Sequence, residues 1–134
     1  VFKMEKTGMY QVVYTFGWYL RKFIMDAKEK GAIPIVLSHT PRNMFDNGKI
    51  QRNTNSFGKW TCEAAEQAGA YFIDLNKITG DKLEKMGYEE GLRVVGEYFN
   101  RDHTHSSLKG AHLNAQSIAE GLRATDCPLK EYLK

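Results

Sequence analysis

The chain has 134 residues, of which 42% are hydrophobic and 26% charged, values that fit one ordinary globular domain and exclude a disordered or fibrous chain. Its formal net charge of +3 comes from 19 Lys and Arg interspersed with 16 Asp and Glu, which describes a solvated surface and not the basic stripe of a nucleic-acid binder. No run of about 18 apolar residues suits a membrane span, and no basic-then-apolar leader precedes the first element, although a chain that opens in mid-pattern at Val1 says little about the leader of a parent.

The first predicted element is a helix from about Tyr10 to Lys30, in which Leu20, Phe23, Ile24 and Ala27 follow the spacing of one buried face and Gly31 closes the last turn. Ile33–Ser38 is a continuous apolar run bounded by punctuation, expected as a central parallel strand buried on both faces with Pro34 at its entrance. The polar stretch from His39 to Ser56 has no period and reads as a long loop. In open α/β sheets ligands bind beyond the carboxyl ends of the strands, so this loop is either a substrate wall or a surface excursion. Phe57–Ala68 is a second helix with Trp60, Ala64 and Ala68 inward and Gly69 at its end. Tyr71–Leu75 is a second short parallel strand, and Lys77–Met86 a weaker helix. Glu89–Phe99 fits helix or extended chain equally. Ser107 can cap a last helix from Leu108 to about Ala124, with Leu108, Ala111, Ala115, Ile118 or Ala119, and Leu122 as its core face, and Cys127-Pro128 stops it. Neither repeats nor linkers divide the chain.

The residues that carry chemistry lie just before that helix, in Asn100-Arg101-Asp102-His103-Thr104-His105-Ser106-Ser107-Leu108-Lys109-Gly110-Ala111. An acid three positions ahead of a histidine can accept the Nδ1 proton of its ring and leave Nε2 as a base, the orienter-and-base half of a hydrolytic triad. His103, the immediate neighbour of Asp102, should project elsewhere. Two alternatives stand beside this reading. Asp102 can cap backbone amides at the helix entry, or it can join His103, His105 and His112 in a zinc site, which His112 opposes by lying seven residues past His105 inside the helix.

Asp-x-x-His before a Gly-Ala helix start resembles the last signature block of the SGNH (GDSL-type) hydrolases. Tyr14-Thr15-Phe16-Gly17-Trp18-Tyr19-Leu20-Arg21-Lys22, Pro34-Ile35-Val36-Leu37-Ser38-His39-Thr40-Pro41-Arg42-Asn43 and Phe72-Ile73-Asp74-Leu75-Asn76 look like the rhamnogalacturonan acetylesterase-like members in the same order, so the resemblance covers nearly the whole chain. It implies a flavodoxin-like three-layer αβα fold with a parallel sheet. It also implies acyl transfer with His105 as base and Asp102 as its orienter, no metal or organic cofactor, an acetylated pectic polysaccharide or oligosaccharide as substrate, and secretion or a periplasmic location.

The family's Gly-Asp-Ser nucleophile block and its Gly-x-Asn-Asp block do not occur here, and Ser38, Ser56, Ser106, Ser107 and Ser117 stand in other contexts. Two strands with three or four helices cannot close a doubly wound layer, and the open strand edge invites pairing. The chain is therefore expected to be the C-terminal portion of a single SGNH domain, an incomplete αβα fold that is inactive alone and partnered by the missing N-terminal portion or a second copy. If the resemblance holds, the substrate is anionic, and the loop carrying Arg42, Lys49 and Arg52 is where to seek its contact. His39, Arg42 and Asn43 are candidate substrate residues, with loop shaping as the alternative role. Cys62 and Cys127 fit no metal or redox spacing and are either free thiols or a disulfide. Competing functions are a non-catalytic carbohydrate-binding or scaffold domain of the same fold and a lipolytic or acetylhydrolase of different specificity.

Overall fold

In the computed structural model, which describes residues 1–86, 96–100 and 102–134, the chain opens on a small antiparallel hairpin of β1 (Phe2–Lys3) and β2 (Tyr10–Gln11). The helix expected from Tyr10 starts later, as α1 (Phe16–Glu29). Val12, Val13 and Tyr14 favour extended backbone, and Thr15 is the N-cap, its hydroxyl accepting the Trp18 amide at 3.3 Å. Ile24 is buried and Leu20 and Ala27 half-buried, as expected, but Phe23 is 71% exposed. The stripe that meets the next helix is narrow, and Phe23 lies about 100° around the helix from Ile24, outside it.

β3 (Ile35–Leu37) follows, shorter than the Ile33–Ser38 expectation, with Pro34 just ahead and its carbonyl accepting the Tyr71 amide at 3.2 Å. The supposedly featureless stretch after it holds a hairpin, β4 (Phe45–Asp46) with β5 (Lys49–Ile50). Asn47 at φ 47° and Gly48 at φ 75° form its two-residue turn, the pairing for which an Asn-Gly step is suited, and the hairpin carries Ile50 into the core.

α2 (Phe57–Ala68) has the expected bounds, and Gly69 ends it in the left-handed conformation at φ 64°. Its inward residues are Gly58, Thr61, Ala64 and Ala65, with Ala68 half-buried, whereas Trp60 is exposed. Small side chains line the face where α2 meets α1, and the bulky Trp60 is left at the surface against Phe57. β6 (Tyr71–Ile73) pairs with β3 in parallel, Ile35, Val36 and Leu37 opposite Tyr71, Phe72 and Ile73. It ends two residues short of the expected Leu75 because the Asp74 carboxylate accepts the Lys77 amide at 3.0 Å and starts α3 (Leu75–Lys85) there. Since β3 pairs with β6 alone among the described residues, its three residues are half-buried instead of enclosed on both faces. The ambiguous Glu89–Phe99 segment lies largely outside the described residues, though Phe99 itself is buried.

α4 (Leu108–Arg123) is capped by Ser107, whose hydroxyl accepts the Gly110 amide at 3.2 Å, and a 3₁₀ turn, Pro128–Tyr132, closes the chain. Leu122 is buried as expected and Ile118 half-buried, but Leu108, Ala111 and Ala115 are exposed, and the inward line is Gly110, Leu113, Ser117 and Gly121. The helix approaches backbone and strand too closely for larger residues. A methyl at Gly110 would strike the Tyr98 carbonyl oxygen, and one at Gly121 would strike the Ile73 side chain.

Two clusters make the core. Ile73, Leu122 and Cys127 gather Ile35, Leu37, Tyr71, Ile78 and Ile118 on one side of the sheet, while Ile50, Leu83, Phe99 and Leu113 join the hairpin to α3 and α4. Alternation turns Val36 and Phe72 to the opposite face, where α2 contacts both strands. The architecture is an αβα arrangement around a parallel sheet of two strands. Cys62 and Cys127 are free thiols, the first half-buried and the second buried.

Candidate active site

An antiparallel bridge between Phe99 and Ser106 closes the base of the loop that carries residues 102–105. The Asn100 amide donates to the His105 carbonyl at 2.8 Å, and the Ser107 amide to the Tyr98 carbonyl at 3.0 Å. Because Ser107 is also the α4 cap, the far end of the loop is fixed to a helix start.

Within the loop Asp102 bonds both to backbone amides and to the His105 ring. Oδ1 accepts the Thr104 amide at 2.8 Å and the His105 amide at 2.7 Å, while Oδ2 receives His105 Nδ1 at 2.5 Å. A carboxylate only accepts, so Nδ1 carries a proton, and in the neutral ring Nε2 keeps its lone pair. The His105 amide, the His105 ring and the Thr104 amide, in that order, hold the Asp102 carboxyl well below the usual carboxylate range. The pair stands in the open, with His105 75% and Asp102 50% exposed.

His103 points elsewhere, as its position predicts. Its Nδ1 donates to the Asn43 carbonyl at 2.8 Å, and the Asn43 amide returns a 2.8 Å bond to the His103 carbonyl. The rings of His103 and His105 thus go to different partners, and no group of three metal-ligating side chains converges among the described residues.

Beyond the carboxyl ends of β3 and β6 opens a cleft of about 420 Å³ lined by His39, Arg42, Phe57, Asn76 and Thr104 among others. His39 meets the Phe57 ring edge-on at 5.8 Å, and Arg42 is exposed with no ion pair among the described residues. Arg52 also lines the cleft, with its guanidinium bonded to the protein. It donates to the carbonyls of Asn76 and Lys77 and to the carboxylates of Asp81 and Glu84, and Lys49 pairs with Glu84 as well. Both reach from the hairpin side to α3, so Lys49 and Arg52 have structural partners there. Of the candidate substrate residues, His39 and Arg42 share the cleft, and Asn43 engages its backbone in the His103 contact.

Ser38 and Ser117 are buried, and all five serines have structural partners. Ser38 donates to Asp74 at 2.8 Å and accepts the Asn76 amide at 2.9 Å, and Ser117 donates to the Leu113 carbonyl at 2.8 Å. Ser56, Ser106 and Ser107 are engaged with Asn53, Asn114 and Gly110 respectively. No described serine hydrogen-bonds His105 Nε2. The Ser38–Asp74–Asn76 knot, which stitches the carboxyl ends of both strands at the floor of the cleft, was missed in the sequence. Asp74, a capping residue placed straight after a strand, was its available signal.

No protein-family model matches the chain. Among curated proteins it is 33% identical over 130 residues to the rhamnogalacturonan acetylesterase RhgT of Bacillus subtilis, covering 89% of this chain and 56% of that protein. Over 126 residues it is 26% identical to the rhamnogalacturonan acetylesterase of Emericella nidulans, covering 94% of this chain and 50% of that one. Over most of its length this chain is similar to rhamnogalacturonan acetylesterases. It spans about half the length of the curated relatives it matches. A probable rhamnogalacturonan acetylesterase, YesY of Bacillus subtilis, is 29% identical over 122 residues. Among solved structures, protein YxiM of Bacillus subtilis superposes with a TM-score of 0.71 at 26% identity, over 81% of this chain and 30% of its own. The likeness in fold agrees with the αβα arrangement of the described residues.

Proposed function

We propose that this chain supplies the base and its orienting acid to a serine-type carbohydrate esterase that removes acetyl groups from pectic polysaccharide, and that it is the C-terminal portion of an SGNH domain whose N-terminal portion carries the nucleophile. The observation that carries the reading is the 2.5 Å bond from His105 Nδ1 to Asp102, on the loop whose Thr104 lines the cleft, in a chain similar to acetylesterases. In the reaction a serine Oγ attacks the acetyl carbonyl and His105 Nε2 takes its proton. The carbonyl re-forms as the ester C–O bond breaks, and the same proton passes to the leaving sugar oxygen. Water, deprotonated in turn by Nε2, then frees acetate and restores the serine. Asp102 holds the ring in the tautomer that this cycle needs and stabilises the imidazolium formed at each half. No metal or organic cofactor enters these steps. No described helix is long and apolar enough to cross a membrane, and a polymeric pectic substrate places the enzyme outside the cell or in the periplasm.

The test joins this chain to an N-terminal portion bearing a Gly-Asp-Ser block and follows acetate release from acetylated rhamnogalacturonan, beside short-chain aryl esters. Release that vanishes with His105→Ala and favours the polysaccharide supports the reading. Turnover of aryl esters alone favours a different acetylhydrolase specificity. Polysaccharide binding without acetate release, His105 intact, makes the domain a non-catalytic binder.

A further inference from the structure

Given that His105 is the base, we propose that His103 is a positioning residue for it, its ring fastening the Asp102–His105 loop to the segment that follows β3. The fastening is reciprocal. The His103 ring donates from Nδ1 to the Asn43 carbonyl and the Asn43 amide donates to the His103 carbonyl, both at 2.8 Å and across 60 residues of sequence. Among the described residues, every other hydrogen bond of residues 100 and 102–105 stays inside the loop or goes to Ser106. Among the described residues the clasp is therefore the hydrogen-bonded link between the base-bearing loop and the wall of the cleft, where Arg42 stands beside Asn43 and Thr104 beside His103.

A site of this kind must be held to within about 0.5 Å, and side chains on loops are the hardest to hold. Asp102 and His105 are well fixed to each other, but that only makes the pair a rigid unit. Where Nε2 lies relative to the cleft depends on how the loop sits against the fold, which is what the clasp sets. A histidine suits the task because the partner is a carbonyl: the Nδ1–H tautomer and the imidazolium donate equally, so the bond survives protonation of its ring. On the other side the clasp uses only the main chain of residue 43, so Asn43→Ala should leave it whole.

The experiment uses the 134-residue chain labelled with ¹⁵N. Long-range proton–nitrogen spectra read the tautomer of each ring, and solvent exchange of the His105 Nδ1 proton reads how firmly the loop is held. In the wild type His103 should be the Nδ1–H form. His103→Phe keeps a ring and removes the donor, and should quicken exchange of the His105 Nδ1 proton about five-fold, the effect of one net hydrogen bond on a local opening equilibrium. His103→Asn, whose amide nitrogen falls near the Nδ1 position, should return it to within about two-fold of wild type. An Nε2–H tautomer at His103, unchanged exchange in His103→Phe, or equal acceleration in both variants overturns the proposal. Should the wild type show no bonded His105 Nδ1 proton, it is the base assignment that fails. The clasp is then judged on the Asn43 amide, whose exchange His103→Phe must quicken for it to stand.

Discussion

Arg52→Met separates a structural arginine from a ligand-binding one. The guanidinium reaches the Asn76 and Lys77 carbonyls at 3.1 Å each, Asp81 at 3.0 Å and Glu84 at 2.7 Å, with the side chain 22% exposed. Methionine keeps the aliphatic stem and drops the charge. Asp81 is 40% exposed and keeps Lys77, so solvent screening limits its loss to about 0–1 kcal/mol. Glu84, 16% exposed, keeps the Ile50 amide and Lys49 but loses its shortest partner, which costs about 1–2 kcal/mol. A total near 2 kcal/mol should lower Tm by about 7 °C in a domain of this size. In a thermal double-mutant cycle with Glu84→Gln the coupling should be about 1 kcal/mol. Burial alone would raise the Glu84 carboxyl, but Arg52, the Ile50 amide and Lys49 outweigh it and hold it below its ordinary 4.5, while Lys77 and then Arg52 hold Asp81 below 3.8. Carboxyls depressed by folding stabilise above their unfolded pKa and stop doing so as pH falls through the folded one. The deficit of Arg52→Met should therefore be full at pH 7 and shrink below about pH 4. A Tm within about 1 °C of wild type, with binding of acidic oligosaccharide lost instead, would refute the structural role and return Arg52 to the ligand.

Asp102→Asn should keep the loop's backbone bonds through its remaining oxygen but present an amide to the ring. His105 then flips to the Nε2–H tautomer, and turnover in the serine-bearing protein should fall on the order of 10⁴-fold; a loss under tenfold would leave Asp102 a backbone cap only. In the same protein His105→Ala should cost several orders of magnitude and His103→Ala about tenfold, and equal losses would undo the division of roles. The 134-residue chain on its own should cleave acetyl esters no faster than an imidazole control, since no described serine meets Nε2; measurable burst kinetics would reveal an unrecognised nucleophile. Light scattering should find its half-covered β3 edge paired with another copy, and a monodisperse active monomer would count against the half-domain reading.

What the sequence made legible was local. Asp102 and His105 are bonded through three residues of loop, so spacing alone carried their geometry, and Ser107, Gly69 and the bounds of α2 were equally short-range. The faces of helices were not local, and that is where the expectations failed. Leu108, Ala111 and Ala115 have the right period for a core face, but α4 presses so close to Tyr98 and Ile73 that glycine and serine line the contact. Apolarity reports what a residue prefers to meet, not how near the neighbour stands. Trp60 was misplaced for the same reason, and Phe23 because the buried stripe of α1 is narrow. The hairpin at Asn47-Gly48 is a different failure, because its turn signal was present and the flanking polar residues obscured it.

The open position of the acid and base bears on what the rest of such an enzyme must contribute. An imidazole 75% exposed works in nearly the dielectric of water, where a base held by a carboxylate gains orientation but little else. Orientation has value only when the group it deprotonates is oriented too, because effective molarity belongs to the pair. The larger part of acyl-transfer catalysis comes from donors aimed at the developing oxyanion in a water-poor site, and a site this exposed does not exclude water. On the proposed reading, nucleophile, oxyanion donors and water exclusion must all arrive together, with the surface that covers the Asp102–His105 loop. The clasp from His103 to Asn43 would then settle, before that surface docks, where Nε2 stands relative to the cleft.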